Sequence, residues 1–313
     1  MNLKVGIAPP PAGFASAAEA AWFLAASADA GIDHVFLADH VSFRGGQGTD
    51  ALLRLASLLG LHPTIDGSTG VYLLALRHPS VVARQLATIA ELAPGRVTLG
   101  IGVGGDDPAE LWACGIDPAT RGRRTDEALV VLRALLTGRP VTHDGEFFRL
   151  DGVQILPAPD PPVPIVVGGR SDAALRRTGR LGDGWLATWC SARRYAEGLE
   201  LVAAVAAGAD RGDVVWRHGY QSWFGAGPTP ADGAALVGPA MEAFYAMPFA
   251  PFERYTPAGP PDAVAEALLP FVRAGATTLN LTPIAASLEE GVAAVGEIKH
   301  LLVAELRGGG LPG

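Results

Sequence analysis

The chain has 313 residues, 49% of them hydrophobic and 18% charged, enough for a large core and within the size of one α/β barrel or two smaller domains. A net charge of −8 with scattered arginines leaves no basic stripe, which argues against nucleic acid and anionic membrane as partners. Cys114 and Cys190 form neither a disulfide framework nor a ligand set, "LKVGIAPP" carries no leader signature and no apolar run is long enough to span a bilayer, so a cytoplasmic chain is expected.

Strand-like apolar runs are predicted near 4–8, 34–38, 69–74, 97–102, 165–168, 185–188, 214–223 and 277–281. Helical patterns lie between them at 17–30, 80–92, 124–136, 172–181, 193–207 and 262–274, with 287–306 closing the chain. Alternation of this kind argues a parallel sheet, and eight units argue closure into a (β/α)8 TIM barrel over 1–306; an open doubly wound sheet is the alternative. Turn-rich 139–163 and aromatic 214–258 are read as insertions on the C-terminal face, and the tail 307–313, "RGGGLPG", as disordered.

Within this frame "FLADHVSF" begins as a strand buried on both faces and ends in Asp39 and His40, two ionisable groups where a core strand runs out. In "GIGVGG", Gly100, Gly102 and Gly105 match G-x-G-x-x-G, but no helix opens at once and Glu127 lies inside a helical run, so a dinucleotide fingerprint is rejected. Glycines inside a barrel strand instead remove side chains, either for tight packing or so that something flat can approach the backbone. "VVGGRSDAAL" puts Gly168, Gly169, Arg170 and Ser171 at a strand end before a helix, which fits a phosphate-receiving turn or a plain glycine turn. His62, His143, His218 and His300 read as solvated, and neither a metal-ligand spacing nor a nucleophile elbow is present.

The ordered series "GIDHVFLADHV", "TGVYLLALRHPSVVARQLATIAELAPGRVTLGIGVGG", "RGRRTDEALVVLRALLTGRPVTHDGEFFRL" and "PPVPIVVGGRSDAALRRTGRLGDGW" resembles the luciferase-like monooxygenase family, the flavin- and deazaflavin-dependent (β/α)8 oxidoreductases. The resemblance implies a cofactor ring over the C-terminal mouth, backed by a third-strand bulge at Thr69, Gly70 and Val71 with a non-prolyl cis peptide at or beside Gly70-Val71. It implies that Val103 and Gly104 border the ring, that Gly168, Gly169, Arg170 and Ser171 take the phosphate, and that Asp39 and His40 are the acid–histidine pair beside the ring. His40 would accept a substrate hydroxyl proton while hydride leaves the same carbon, and Asp39 would set its tautomer, contact the cofactor or cap a turn. Coenzyme F420 is the expected cofactor and FMN the alternative; an FMN monooxygenase and a non-catalytic flavin-binding barrel stay open. The family's sugar-phosphate dehydrogenases place a tryptophan and an acid where Arg44 and Gly105 stand here, so a sugar phosphate is not expected, and Asp106 or Asp107 is left as proton donor. The aromatics from Trp216 to Tyr255 read as a lid over an apolar organic substrate, with packing or a subunit interface as the alternative. A homodimer is implied as well.

Overall fold

A computed structural model describes residues 2–105 and 107–308. Eight strands form the barrel: β1 (Lys4–Ile7), β2 (His34–Leu37), β3 (Asp66–Thr69), β4 (Val97–Gly102), β5 (Ile165–Gly168), β6 (Gly184–Thr188), β7 (Gly219–Ala226) and β8 (Thr278–Ile284). Each pairs in parallel with the next, and β8 closes on β1 through Lys4↔Thr278 to Ile7↔Leu281. No hydrogen-bonded edge is left on such a ring.

The outer layer is α1 (Ala17–Asp29), α2 (Ala51–Leu61), α3 (Pro79–Leu92), short α4 (Pro108–Ala113), α5 (Arg121–Leu135), α6 (Asp172–Leu181), α7 (Ala192–Ala207), α8 (Pro230–Tyr245), short α9 (Ala250–Glu253), α10 (Pro261–Arg273) and α11 (Leu288–Leu306). Side-chain caps start most of them: Ser16, Asp50, Ser171, Ser191, Thr229 and Ser287 each accept a first-turn backbone N–H. The core lies between this layer and the strands, where Trp185 of β6 stacks on Tyr195 of α7 at 5.2 Å.

Three elements differ from the expected ones. β3 occupies Asp66–Thr69, before the apolar run that suggested 69–74, because that run bends at a bulge and resumes only as Tyr72–Leu73. β7 is Gly219–Ala226, so a barrel strand runs through the segment read as an insertion, and α8 and α9 follow it. α2 went unpredicted although "ALLRLASLLGL" is apolar at helical spacing. The 139–163 segment holds a hairpin, Val141–Asp144 with Arg149–Val153, whose turn is clamped by Glu127 of α5: its carboxylate accepts from the Phe147 and Phe148 N–H groups and faces His143 Nε2 at 3.0 Å. Of the tail expected to be disordered, 309–313 lie outside the described residues.

His143 is therefore paired, not simply solvated, and His218 is half-buried just before β7. His218 Nδ1 accepts from the Trp185 N–H at 3.1 Å, and its ring stacks on Trp216 at 5.1 Å. Burial pushes its pKa down to about 4. An imidazole that ionises more readily unfolded than folded stabilises fully above its free pKa of about 6.5 and loses that contribution as pH falls toward 4, a loss of about 2 to 3 kcal/mol. Burial of His34 acts in the same direction. Urea unfolding at stepped pH is expected to show stability falling from pH 6.5 to 4, and His218→Asn, which keeps an acceptor near Nδ1, should flatten the slope; an equal slope in the variant would clear His218 of the effect.

Candidate active site

The site grows from the bulge after β3. The Gly70-Val71 peptide is cis, as the resemblance implied. Gly70 donates to the Leu37 carbonyl at 2.8 Å, and Asp39 donates to the Val71 carbonyl at 3.2 Å, so the bulge is stitched to the end of β2. From the opposite wall Gln221 Nε2 donates to the Gly70 carbonyl at 3.1 Å. Gln221 in turn accepts from Asn280 Nδ2 at 3.3 Å, and Asn280 Oδ1 lies 2.8 Å from Nε2 of buried His34.

This bulge explains Gly100 and Gly102 of "GIGVGG" and Gly168 of "VVGG". A Cβ on Gly102 would lie 2.5 Å from Val71 Cγ2, one on Gly168 would lie 2.6 Å from Val71 Cγ1, and one on Gly100 would collide with the Thr69 carbonyl. What approaches these three glycines is the bulge itself. Thr69 is enclosed, its hydroxyl donating to the Gly100 carbonyl at 2.7 Å, whereas Val71 is half-buried and borders the mouth. Val103 and Gly104 are half-buried past the end of β4, with Gly104 at φ 68°.

Asp39 and His40 part company. The Asp39 side chain is fully enclosed and accepts from Arg77 Nη1 at 2.5 Å and Nη2 at 3.0 Å, from the Leu73 N–H at 3.0 Å and from the Ala51 N–H at 3.1 Å. With both oxygens so engaged, its carboxylate ties β2, the bulge and the start of α2 together; the tautomer-setting and ring-contacting roles expected of it are not what this geometry provides. Burial pushes the Asp39 carboxyl up, opposed by Arg77 and the two backbone donors; burial also works against the Arg77 charge, but Asp39 outweighs it and holds that pKa above its ordinary value.

His40 turns the other way, with its ring stacked on Phe43 at 4.2 Å. Its Nδ1 faces Glu110 Oε2 at 3.1 Å, and Glu110, 3% exposed, also accepts from the Val41 N–H at 2.6 Å and the Ser42 N–H at 3.1 Å. The carboxylate paired with the imidazole is thus Glu110 of α4, seventy residues away in sequence. Sequence reasoning missed it, though "DDPAELW", an aspartate cap with proline and an acid one turn into a helix, was a signal. Asp107, a candidate proton donor, accepts from the Arg44 N–H at 2.9 Å and the Ala109 N–H at 3.0 Å. These bonds hold its carboxyl below its ordinary range, so it caps α4 and does not donate protons near neutrality. Asp106, the other candidate, lies outside the described residues.

Across the mouth, Gly168 ends β5, Gly169 adopts φ 126°, Arg170 is exposed and Ser171 caps α6. Trp185 Nε1 donates to the Gly169 carbonyl at 2.7 Å and fixes the turn. A left-handed glycine at a helix N-terminus presents backbone N–H groups and the positive end of the dipole outward.

The aromatic segment divides. Trp216 lies below the barrel and Phe224 is in the main core, whereas Trp223, Phe252, Val237 and Met241 form a second apolar cluster joined by Phe244, Tyr245, Phe249 and Trp189. Trp189, just past β6, was not singled out in the sequence.

Closed parallel α/β barrels hold ligands at the C-terminal mouth, and the bulge, His40 and the glycine turn all sit at C-terminal strand ends here. The luciferase-like monooxygenase profile matches residues 4–257, and the chain belongs to that family. It is 38% identical over 190 residues to an F420-dependent glucose-6-phosphate dehydrogenase of Beutenbergia cavernae, covering 59% of this chain and 56% of that one. It is 34% identical over 190 residues to an F420-dependent hydroxymycolic acid dehydrogenase of Mycobacterium tuberculosis, covering 59% and 51%. The chain spans about half the length of the curated relatives it matches. Among solved structures, an F420-dependent secondary alcohol dehydrogenase in complex with an F420-acetone adduct superposes with a TM-score of 0.82 at 20% identity, covering 95% of this chain and 98% of that one. A monooxygenase from Streptomyces bottropensis superposes at 0.80 with 23% identity, covering 97% and 100%. Likeness at these identities establishes the fold.

Proposed function

We propose that the protein is an F420-dependent oxidoreductase that moves hydride between a small organic substrate and the deazaflavin. The observation that carries this reading is the His40–Glu110 pair beside the bulge. A deazaflavin exchanges hydride and reacts poorly with oxygen, so its enzyme needs a proton partner more than an oxygen pocket. Glu110, anchored by two backbone donors, receives the proton-bearing Nδ1 and leaves the Nε2 lone pair to accept the substrate hydroxyl proton. As the carbinol carbon gives up hydride, its oxygen gives that proton to His40 and a carbonyl product forms; in the reverse direction His40 returns it.

The chain's residues suit the cofactor. Gly169 and the first turn of α6 would receive the phosphate with Arg170, Val71 would support the ring, and Val103 and Gly104 would flank it. A Cβ on Gly169 would stand 2.9 Å from Ala174 Cβ in a backbone region L side chains rarely adopt. Asp39 acts here as a positioning group for the bulge and not as a catalytic one.

Fluorescence titration with F420 and with FMN tests the reading. F420 is expected to bind more tightly, and Gly169→Val to weaken it by more than about tenfold with folding intact. FMN preference together with substrate-dependent oxygen consumption would replace it by monooxygenation.

The reading extends to a cytoplasmic homodimer. No described helix is long and apolar enough to cross a membrane. Trp22 of α1 and Leu53 and Leu61 of α2 are exposed apolar side chains on two outer helices that a second copy would cover. Light scattering at micromolar concentration is expected to give twice the chain mass; a monomer mass rejects the dimer.

A further inference from the structure

We infer that Gln221 is a positioning residue that sets where the bulge after β3 stands in the mouth, and that Asn280 and His34 act through it by fixing which way its amide faces; this rests on the cofactor reading above, in which that bulge backs the ring. The side chains come from one row of the barrel. Register places Gln221 of β7 opposite Asn280 of β8, Asn280 opposite Gly6 of β1, and Gly6 opposite His34 of β2. Gly6 is the gap in that row: a Cβ there would collide with the His34 ring, so its absence lets the imidazole reach past β1 to Asn280. Gly70 is the matching gap on the bulge, where a Cβ would stand 2.5 Å from Gln221 Oε1. Barrel interiors are ordinarily filled by bulky branched side chains. Here a polar row, with His34 and Asn280 both buried, ends on the backbone at Gly70.

The direction of the chain is forced from its end. The Gly70 carbonyl only accepts, so Gln221 must turn Nε2 toward it, at 3.1 Å. Gln221 Oε1 is then the acceptor for Asn280 Nδ2 at 3.3 Å, which leaves Asn280 Oδ1 to accept from His34 Nε2 at 2.8 Å. Burial lowers the His34 pKa, so the ring is neutral near pH 7, and the chain puts its one proton on Nε2. Reversing either amide alone would set like groups face to face in a buried place, which costs more than the bond it replaces. At Gly70 and Val71 the bulge is tied to the end of β2 by backbone bonds, Gly70 N–H to the Leu37 carbonyl and Asp39 N–H to the Val71 carbonyl. Gln221 Nε2 reaches the same segment from across the barrel, so it sets how far the bulge leans toward the far wall and where Val71 stands.

The test needs no substrate and has one readout without cofactor. In the full chain, Gln221→Met removes the donor at similar volume, and hydrogen exchange at the Gly70 and Asp39 amides should rise at least about fivefold more than exchange in α5. F420 affinity, by fluorescence titration, should fall about tenfold. Asn280→Asp should give the same two shifts, although the bonds of Asn280 go to Gln221 and His34: a carboxylate accepts from both neighbours and so turns the Gln221 oxygen toward Gly70. That variant carries the test if Gln221→Met does not fold. His34→Gln, which keeps a donor near the place of Nε2, is the conservative change and should stay within about twofold of the parent in both readouts. Exchange rising equally at the bulge and in α5 would reduce Gln221 to packing. Parental values in Asn280→Asp, beside a loss in Gln221→Met, would overturn the part assigned to Asn280 and His34. F420 failing to bind the parent overturns the cofactor reading, and the exchange rates then decide by themselves whether Gln221 holds the bulge.

Discussion

His40→Ala is expected to bind F420 within about twofold of the parent and to lose turnover by about two to four orders of magnitude, the range for removing a general acid or base. The separation follows from geometry. The His40 ring packs on Phe43 and faces Glu110, while Val71 and the Gly168–Ser171 turn, which would carry the cofactor, belong to the bulge after β3 and the end of β5. Glu110→Gln supplies the companion measurement. An amide at this place can donate to Nδ1 and turn Nε2 into the protonated nitrogen, so turnover should fall while cofactor affinity stays. Full activity in His40→Ala, read by bleaching of the deazaflavin absorption, would return the residue to a packing role.

What the sequence disclosed and what it hid divide along physical lines. The barrel was legible because β2 and β5 are buried on every residue and the intervening helices are amphipathic, signals that survive in one dimension. The bulge was legible only through resemblance, since "DGSTGVY" has neither strand alternation nor a turn code. Glu110 was hidden because its partner is seventy residues away and its helix is only six residues long, too short to show periodicity. Asp39 and His40 looked like one unit because they are adjacent, yet successive residues of an extended chain point to opposite sides, so one faces Arg77 and the other Glu110. For Gly100, Gly102 and Gly168 the composition was readable and the cause was not: they make room for Thr69 at the end of β3 and Val71 in the bulge after it.

The opposite facing of Asp39 and His40 sets the other large effect. Asp39→Asn is expected to cost about 3 to 5 kcal/mol of folding stability by urea unfolding, the range for breaking a buried ion pair from one side. The Arg77 side chain is 14% exposed, and its charge is answered chiefly by Asp39, with Asp50 farther off at 3.7 Å. An asparagine keeps the volume and one acceptor oxygen, but it removes the charge and places N–H groups where Arg77, Leu73 and Ala51 donate to Asp39. Because Leu73 follows the bulge and Asp39 itself donates to the Val71 carbonyl, the loss falls on the segment that would support the cofactor ring. Cofactor affinity should therefore fall together with stability, unlike in His40→Ala, where it holds. The double variant Asp39→Asn/Arg77→Met separates charge from packing: with no buried guanidinium left uncompensated, at least about 2 kcal/mol of stability should return. A single variant as stable as the parent would mean that the Asp39–Arg77 pair does not hold the mouth together.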